Sequence, residues 1–340
     1  MIGKPEFIFW SRESCGSMIQ RSEFRPGNIW TDTDGNPIQA HGGGILYDRG
    51  IYYWFGENKD EETQDHVLRR VDVIGINCYS SRDLYHWRYE GLALGAEREN
   101  AGSDLHPSKA VERPKVIYNE TTGKYVMWLH IDTPDYATAR AGVAVSDTPA
   151  GPYRYLGSQR PLGAESRDMT VFKDEDGQAY LLHASEGNRT MHIVRLSRDY
   201  LEPTGEAVRV FIGQSREAPA VFKHDGLYYM ITSYCTGWEP NAAQYAVSES
   251  MMGEWRTIGN PCEGTAEQVL TTFNAQGAFV LPVPNLPQGY IFMADRWNSE
   301  DLRDSRYVWL PLEVEGETVR IKWRDAWDLG WNAGSAHHQF

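Results

Sequence analysis

Five times along this chain a short polar or glycine-rich start leads into three or four apolar residues, a turn on Gly, Asp or Asn, and a second apolar and aromatic run. The copies begin at His41-Gly-Gly-Gly-Ile-Leu-Tyr, Glu112-Arg-Pro-Lys-Val-Ile-Tyr, Arg167-Asp-Met-Thr-Val-Phe, Glu217-Ala-Pro-Ala-Val-Phe and Gln276-Gly-Ala-Phe-Val-Leu. Their second runs are Ile51-Tyr-Tyr-Trp-Phe, Tyr125-Val-Met-Trp-Leu, Ala179-Tyr-Leu-Leu, Leu227-Tyr-Tyr-Met-Ile and Tyr290-Ile-Phe-Met. A unit recurring every ~50 to 70 residues cannot bury its own faces and must stack on a neighbour, which is how a β-propeller looks in sequence. Two outer runs follow each pair, for example Gly142-Val-Ala-Val-Ser to Tyr153-Arg-Tyr and Gln244-Tyr-Ala-Val-Ser to Trp255-Arg-Thr-Ile. The expected fold is all-β: a five-bladed β-propeller with four-stranded blades filling residues 1–340 as one domain, with a lead-in over 1–40 and a closing segment or tail over 325–340.

Charge narrows the partners. A net charge of −14 with no basic run among aromatics repels a phosphate backbone, so nucleic acid is excluded as a ligand. No segment approaches the apolar length that spans a bilayer, and the N-terminus lacks the apolar core of a leader. The chain as written is expected to be cytoplasmic, or secreted or periplasmic if a leader has been removed. Cys15, Cys78, Cys235 and Cys262 form no Cys-x-x-Cys pair, so free thiols are expected. Two charged insertions, about 58–72 and 95–111, are expected to shape one face of the ring. Trp54, Trp128, Trp309 and Trp323 fall in the apolar runs and are expected in the core.

A propeller brings the same repeat position of every blade to one mouth of its axis. Four residues before the central apolar position of each first strand stand His41, Glu112, Arg167, Glu217 and Gln276, with Asp168 one place further in. Crowded, half-buried carboxylates raise one another's pKa, so one stays protonated while another stays ionised. Glycosidic cleavage needs that division: an acid for the leaving oxygen and a second group for the attacking water. The competing expectation is a set of strand-start polar groups satisfying one another around a water-filled channel.

The phrases Ala40-His-Gly-Gly-Gly-Ile-Leu-Tyr, Tyr53-Trp-Phe-Gly-Glu, Glu112-Arg-Pro-Lys-Val, Arg167-Asp-Met, Ser185-Glu-Gly-Asn-Arg-Thr, Arg216-Glu-Ala-Pro-Ala-Val-Phe, Cys235-Thr-Gly-Trp and Asp295-Arg-Trp resemble glycoside hydrolase family 43, and most of all its branch of exo-β-1,3-galactanases. The resemblance implies Glu217 as general acid, Asp168 as the carboxylate that tunes and orients it, and Glu112 as a ligand of sugar hydroxyls. The family's usual general base, an aspartate opening the first blade, has no counterpart in Ala40-His-Gly-Gly-Gly. The exo-galactanase branch implies Gln276 in its stead, orienting the water of an inverting displacement or acting through an imidic tautomer, because a neutral amide is a very weak base. Glu57, Asn188 and Thr236 are implied as polar residues of the sugar subsite, and Tyr136 and Trp238 as an edge or face beside it. An axial position leaves His41 three expectations: a substrate contact, a packed histidine, or a ligand of a channel ion. No metal or cofactor is expected in catalysis.

The partner implied is an oligosaccharide or polysaccharide of galactan or arabinogalactan type. Two other readings compete: an α-L-arabinofuranosidase or β-galactofuranosidase on the same fold, and a non-catalytic glycan-binding propeller. Gln276 favours the galactanase. A retained acid with a carboxylate partner argues against a mere binder.

Overall fold

The computed structural model describes residues 22–65, 69–283 and 289–330. Five antiparallel sheets follow one another in chain order. The first holds β1 (His41–Asp48), β2 (Ile51–Glu57), β3 (Gly75–Ser81) and β4 (Arg88–Gly95). The second holds β5 (Ala110–Asn119), β6 (Lys124–Asp132), β7 (Arg140–Ser146) and β8 (Arg154–Gln159), and the third β9 (Met169–Lys173), β10 (Ala179–Ser185), β11 (Thr190–Leu196) and β12 (Pro203–Val210). The fourth holds β13 (Arg216–His224), β14 (Leu227–Tyr234), β15 (Gln244–Ser248) and β16 (Arg256–Gly259). In the fifth, a short strand β17 (Cys262–Glu263) lies outside β18 (Gln276–Pro282), β19 (Tyr290–Arg296), β20 (Arg306–Glu315) and β21 (Thr318–Lys322), pairing parallel with β21. The five blades anticipated from the repeat are therefore present, and the fifth carries one strand more than expected.

Local chemistry explains the hairpins. β1 turns into β2 through Arg49 and Gly50 alone, and β13 into β14 through Asp225 and Gly226, all four with positive φ. Two left-handed residues match the twist of the flanking strands, and an X-Gly pair adopts them at least cost. Besides β17, the fifth blade adds the helix α1 (Ala266–Leu270), started by Thr265 and Gln268 capping each other's backbone.

Each blade buries its faces against its neighbours. The five apolar clusters straddle the interfaces: Tyr125 and Met127 of blade 2 meet Phe55 and Ile76 of blade 1, while Trp128 and Val143 meet Met169 and Leu181 of blade 3. Met191 and Ile193 pack on Met230 and Trp255, and Phe222 and Tyr229 on Phe292 and Leu310. The ring closes where Ile45 and Trp54 of blade 1 meet Met293 and Trp309 of blade 5. There Trp54 and Trp309 lie 4.7 Å apart, and Phe24 stacks on Trp327 at 4.4 Å while exchanging backbone hydrogen bonds with it. The lead-in and the closing segment thus strap the ring together. Of the closing segment or tail expected over 325–340, residues 331–340 lie outside the described residues. Trp54, Trp128 and Trp309 are buried as expected, whereas Trp323 is half-exposed just beyond β21. Cys78, Cys235 and Cys262 are free thiols, and Cys15 lies outside the described residues.

The innermost strands β1, β5, β9, β13 and β18 touch in succession, and β18 returns to β1. Four of them slip register just after their first residues: His41 to Gly44, Glu112 to Lys115, Glu217 to Ala220 and Gly277 to Phe279. Such bulges bend a strand and re-aim its side chains. Gly42, Arg113 and Ala218, each one place after the repeat position, have φ of 60°, 54° and 51°. For Arg113 and Ala218 that conformation costs roughly 1 kcal/mol or more.

Candidate active site

The bulged strand starts converge on an axial cavity of about 290 Å³. Glu57, Glu112, Asp168, Asn188, Glu217, Gln276, Tyr136 and Trp238, all expected at the site, line it. A second cavity, of about 310 Å³, lies against Phe24, Trp30 and Tyr85. Its charged residues among those described, Glu23 and Arg25, pair with each other.

Glu217 is 9% exposed. Burial, and then the negative charge of Asp168, push its carboxyl up to about 8 against the pull of Arg113. Asn188 Nδ2 donates to one of its oxygens and Gln276 Nε2 to the other, each at 3.2 Å. Asp168 accepts the backbone N–H of Ala218 at 3.1 Å, pinning the left-handed residue beside Glu217. Its charge thus adds to burial in raising that carboxyl, and its bond fixes the backbone next to it.

Gln276 is held at both ends. Its oxygen accepts from Arg113 Nη2 and, at 3.2 Å, from Trp297 Nε1, while its Nε2 donates to Glu217 and to Ser233 Oγ at 3.0 Å. Guanidinium and indole nitrogens can only donate, so the atom facing them must be the amide oxygen. This orientation places two hydrogen-bond donors on the oxygen and leaves no room for a proton there, which speaks against an imidic tautomer in this state.

Arg113 is the hub of the site. Its guanidinium meets Asp168 at 2.9 Å and Gln276, and its backbone N–H donates to Glu57 at 2.9 Å. Period-two alternation would turn the residue after Glu112 away from the axis; the bulge turns it inward, and sequence reasoning had no signal for that. Trp297 was missed too. It lies beyond β19, edge-on to Trp238 at 5.2 Å, and the motif Asp295-Arg-Trp carried its only hint.

Glu112 lies opposite Glu217 in character. Burial pushes its carboxyl up, but the hydrogen bond and charge of His130, the charge of Lys59 and the hydroxyl of Tyr136 hold it well below its ordinary range. His130 Nδ1 stands 3.2 Å from Glu112 Oε2 and its Nε2 2.9 Å from Asp132 Oδ2, while Tyr136 donates its hydroxyl to Glu112 Oε1 at 2.6 Å. Glu57 is paired with buried Lys59 at 2.6 Å.

Two expected sugar contacts take other places. His41 is fully buried outside the cavity wall, its Nδ1 3.0 Å from Asp295 and its ring stacked on Tyr307 at 4.8 Å. In blade 1 the bulge hands the cavity position to Glu57, the cross-strand partner of His41. Gly42 allows this, because a Cβ there would stand 2.4 Å from Glu57 Oε1. Thr236 lies on the loop between Cys235 and Gly237, which do line the cavity, but its hydroxyl donates to Glu239 O and accepts from Asn241, each at 2.6 Å. Its only donor and one of its two lone pairs are spent closing that loop.

Glu112, His130 and Asp168 each bring a potential ligand atom within 4.8 Å of the others. Both nitrogens of His130 face carboxylates, however, and Asp168 is doubly bound by Arg113. An imidazole must offer a bare lone pair to a metal, so this trio does not suit one.

The sequence profile of glycosyl hydrolases family 43 matches residues 36–272. A family-43 β-1,3-galactosidase solved with galactodeoxynojirimycin is 43% identical, superposes with a TM-score of 0.84, and the alignment covers 90% of this chain and 100% of that one. The exo-β-1,3-galactanase of Phanerochaete chrysosporium, solved with galactose, is 38% identical with a TM-score of 0.81, over 90% of this chain and 68% of that one. A β-D-galactofuranosidase of Aspergillus niger is 27% identical over 181 residues, 48% of this chain and 49% of that protein. The chain spans a third to a half of the length of the curated relatives it matches. A profile match over most of the chain, on a five-bladed ring with its acidic axial cavity, establishes that the protein belongs to glycosyl hydrolases family 43.

Proposed function

We propose that the protein is an exo-acting, inverting glycoside hydrolase that releases galactose from β-1,3-galactan. The observation that carries the reading is a buried carboxyl, Glu217, pushed up to about 8 beside Asp168 and facing a cavity that also holds an ionised carboxylate, Glu112. Support for galactose comes from relatives at 38–43% identity that were solved with galactose and a galactose-like inhibitor.

In this reading the terminal sugar lies in the cavity with its hydroxyls on Glu112, Glu57 and Asn188 and its C–H face toward Trp238 or Trp297. Glu217 gives its proton to the glycosidic oxygen as the C1–O bond breaks, and a water attacks C1 from the opposite face, so the sugar leaves as the α-anomer. Gln276 orients that water by donating from Nε2, exchanging its 3.2 Å bond to Glu217 for one to the water oxygen. With its own oxygen occupied Gln276 takes no proton, so the attacking water releases one to solvent as the new C1–O bond forms, and Glu217 regains its proton from solvent. The anomer of the galactose first released from β-1,3-galactooligosaccharide, followed by NMR, tests the reading: α-galactose is expected, and β-galactose would refute inversion. The furanosidase alternative has one observation behind it, the galactofuranosidase relative. Release from aryl galactofuranoside or arabinofuranoside, with none from galactan, would decide for it.

A further inference from the structure

We infer that His130 is a positioning residue for sugar binding: clamped between Asp132 and Glu112, it holds the Glu112 carboxylate as a fixed acceptor of sugar hydroxyls, and the same ion pair folds the loop that brings Tyr136 onto that carboxylate. The inference rests on the sugar-cavity reading above.

The clamp is wholly buried. His130 is 1% exposed, and the Asp132 side chain is fully enclosed. Asp132 Oδ1 accepts three backbone N–H groups, from Thr133, Thr138 and Ala139, at 2.8 to 2.9 Å. Its Oδ2 meets His130 Nε2. Its oxygens thus meet the backbone and the ring as hydrogen-bond acceptors. Both ring nitrogens of His130 thus face carboxylate oxygens, which accept and do not donate, so each nitrogen carries a hydrogen and the ring is an imidazolium. Burial opposes that charge, yet the hydrogen bonds to Asp132 and Glu112 outweigh it and raise the affinity of the ring for its proton.

The consequence reaches the cavity by two routes. Glu112 receives one donor on each oxygen, His130 on Oε2 and Tyr136 on Oε1, which leaves one lone pair on each for a sugar hydroxyl. Without the imidazolium, a buried carboxyl beside Asp168 and Glu57 would tend to protonate and present a donor in place of an acceptor. The loop that Asp132 gathers also carries Tyr136, whose φ of 54° is held by its N–H on Thr133 O at 2.8 Å. One buried cation between two carboxylates thereby sets two walls of the cavity. His130 touches no sugar in this scheme.

The test uses the full chain and galactose as the probe. His130→Gln keeps a polar side chain of similar reach but loses the charge and one of the two donors. The dissociation constant for galactose by calorimetry, and the KM for β-1,3-galactobiose, are expected to rise about 10- to 100-fold, as for loss of a hydrogen bond to a charged group. The kcat should change less than about threefold, since binding lost equally from ground and transition states shows in KM. In a Glu112→Gln background the same change should add less than about twofold, because His130 acts through Glu112. Additive losses, or a fall in kcat at constant KM, would overturn the inference. Should His130→Gln not fold, 15N NMR of the wild-type ring decides: two protonated nitrogens at pH 7 are expected, and a neutral ring refutes the clamp. A wild-type chain that binds no sugar on a broad panel sinks the sugar-cavity reading and this inference with it. A wild type that binds while His130→Gln binds equally well sinks the inference alone.

Discussion

Glu112 and Glu217 hold the same place in blades 2 and 4, each opening an inner strand before a bulge with a left-handed next residue, yet the two carboxyls end in opposite states. Glu112 looks onto His130 and Lys59 and stays ionised; Glu217 looks onto Asp168 and two side-chain amides and keeps its proton toward pH 8. Backbone symmetry delivers both groups to the axis, and neighbours from other strands decide what each can do there. A repeat position is therefore an address, and its chemistry comes from the strands beside it, chiefly in its own blade for Glu112 and in the neighbouring blades for Glu217.

That contrast breaks most sharply at Glu217. In the proposed mechanism Glu217→Gln removes the proton donor, and it should lower kcat on galactan by roughly 10³-fold, within the range general acid catalysis supplies. An aryl glycoside whose leaving group needs no proton should be much less affected. If Glu112→Gln, and not Glu217→Gln, showed this dependence on the leaving group, the assignment of the two roles would be reversed.

Asp168→Asn comes next, with an expected loss of about 10²-fold in kcat and a signature in pH. Glu217 must be protonated to act, so the wild-type kcat/KM should hold below pH 8 and fall above it, with its basic limb near the raised value of about 8. Removing the charge of Asp168 withdraws one cause of that raise and leaves Arg113 unopposed, so the limb moves to lower pH. A limb that stays in place would remove Asp168 as the tuning group.

Glu112→Gln sharpens the other half of the comparison: KM should rise about 10- to 100-fold with kcat largely kept, since a charged hydrogen-bond acceptor is lost. Trp238→Ala should raise KM about 3- to 10-fold, the worth of one aromatic face. Smallest of all, Thr236→Val should change KM less than about twofold, because its hydroxyl is already engaged within its loop. A loss as large as that of Glu112→Gln would return Thr236 to the sugar subsite.

The architecture was largely legible in the chain, because alternating apolar runs and X-Gly turns act over a few residues, and the two-residue hairpins at Arg49-Gly50 and Asp225-Gly226 follow them closely. So was the gathering of Glu112, Asp168, Glu217 and Gln276 at one cavity, which follows once a ring closes. Less legible was everything that depends on a bulge. Arg113 turns inward and His41 is buried against Asp295, because one extra residue in an inner strand reverses the face of its neighbours. His130 and Asp132, two apart at the end of β6, read as ordinary strand residues until Glu112 and the loop at 133–139 fold against them.

By itself, then, the sequence determined the period, the number of blades and which polar residues open each inner strand, since these rest on local pattern and on the need of each sheet to cover its neighbour. Only the tertiary structure decided which of those residues face the cavity, which are protonated and which are merely packed. Side-chain direction there hangs on single bulges, and a carboxyl's proton on charges within a few ångströms contributed by strands far apart in the chain.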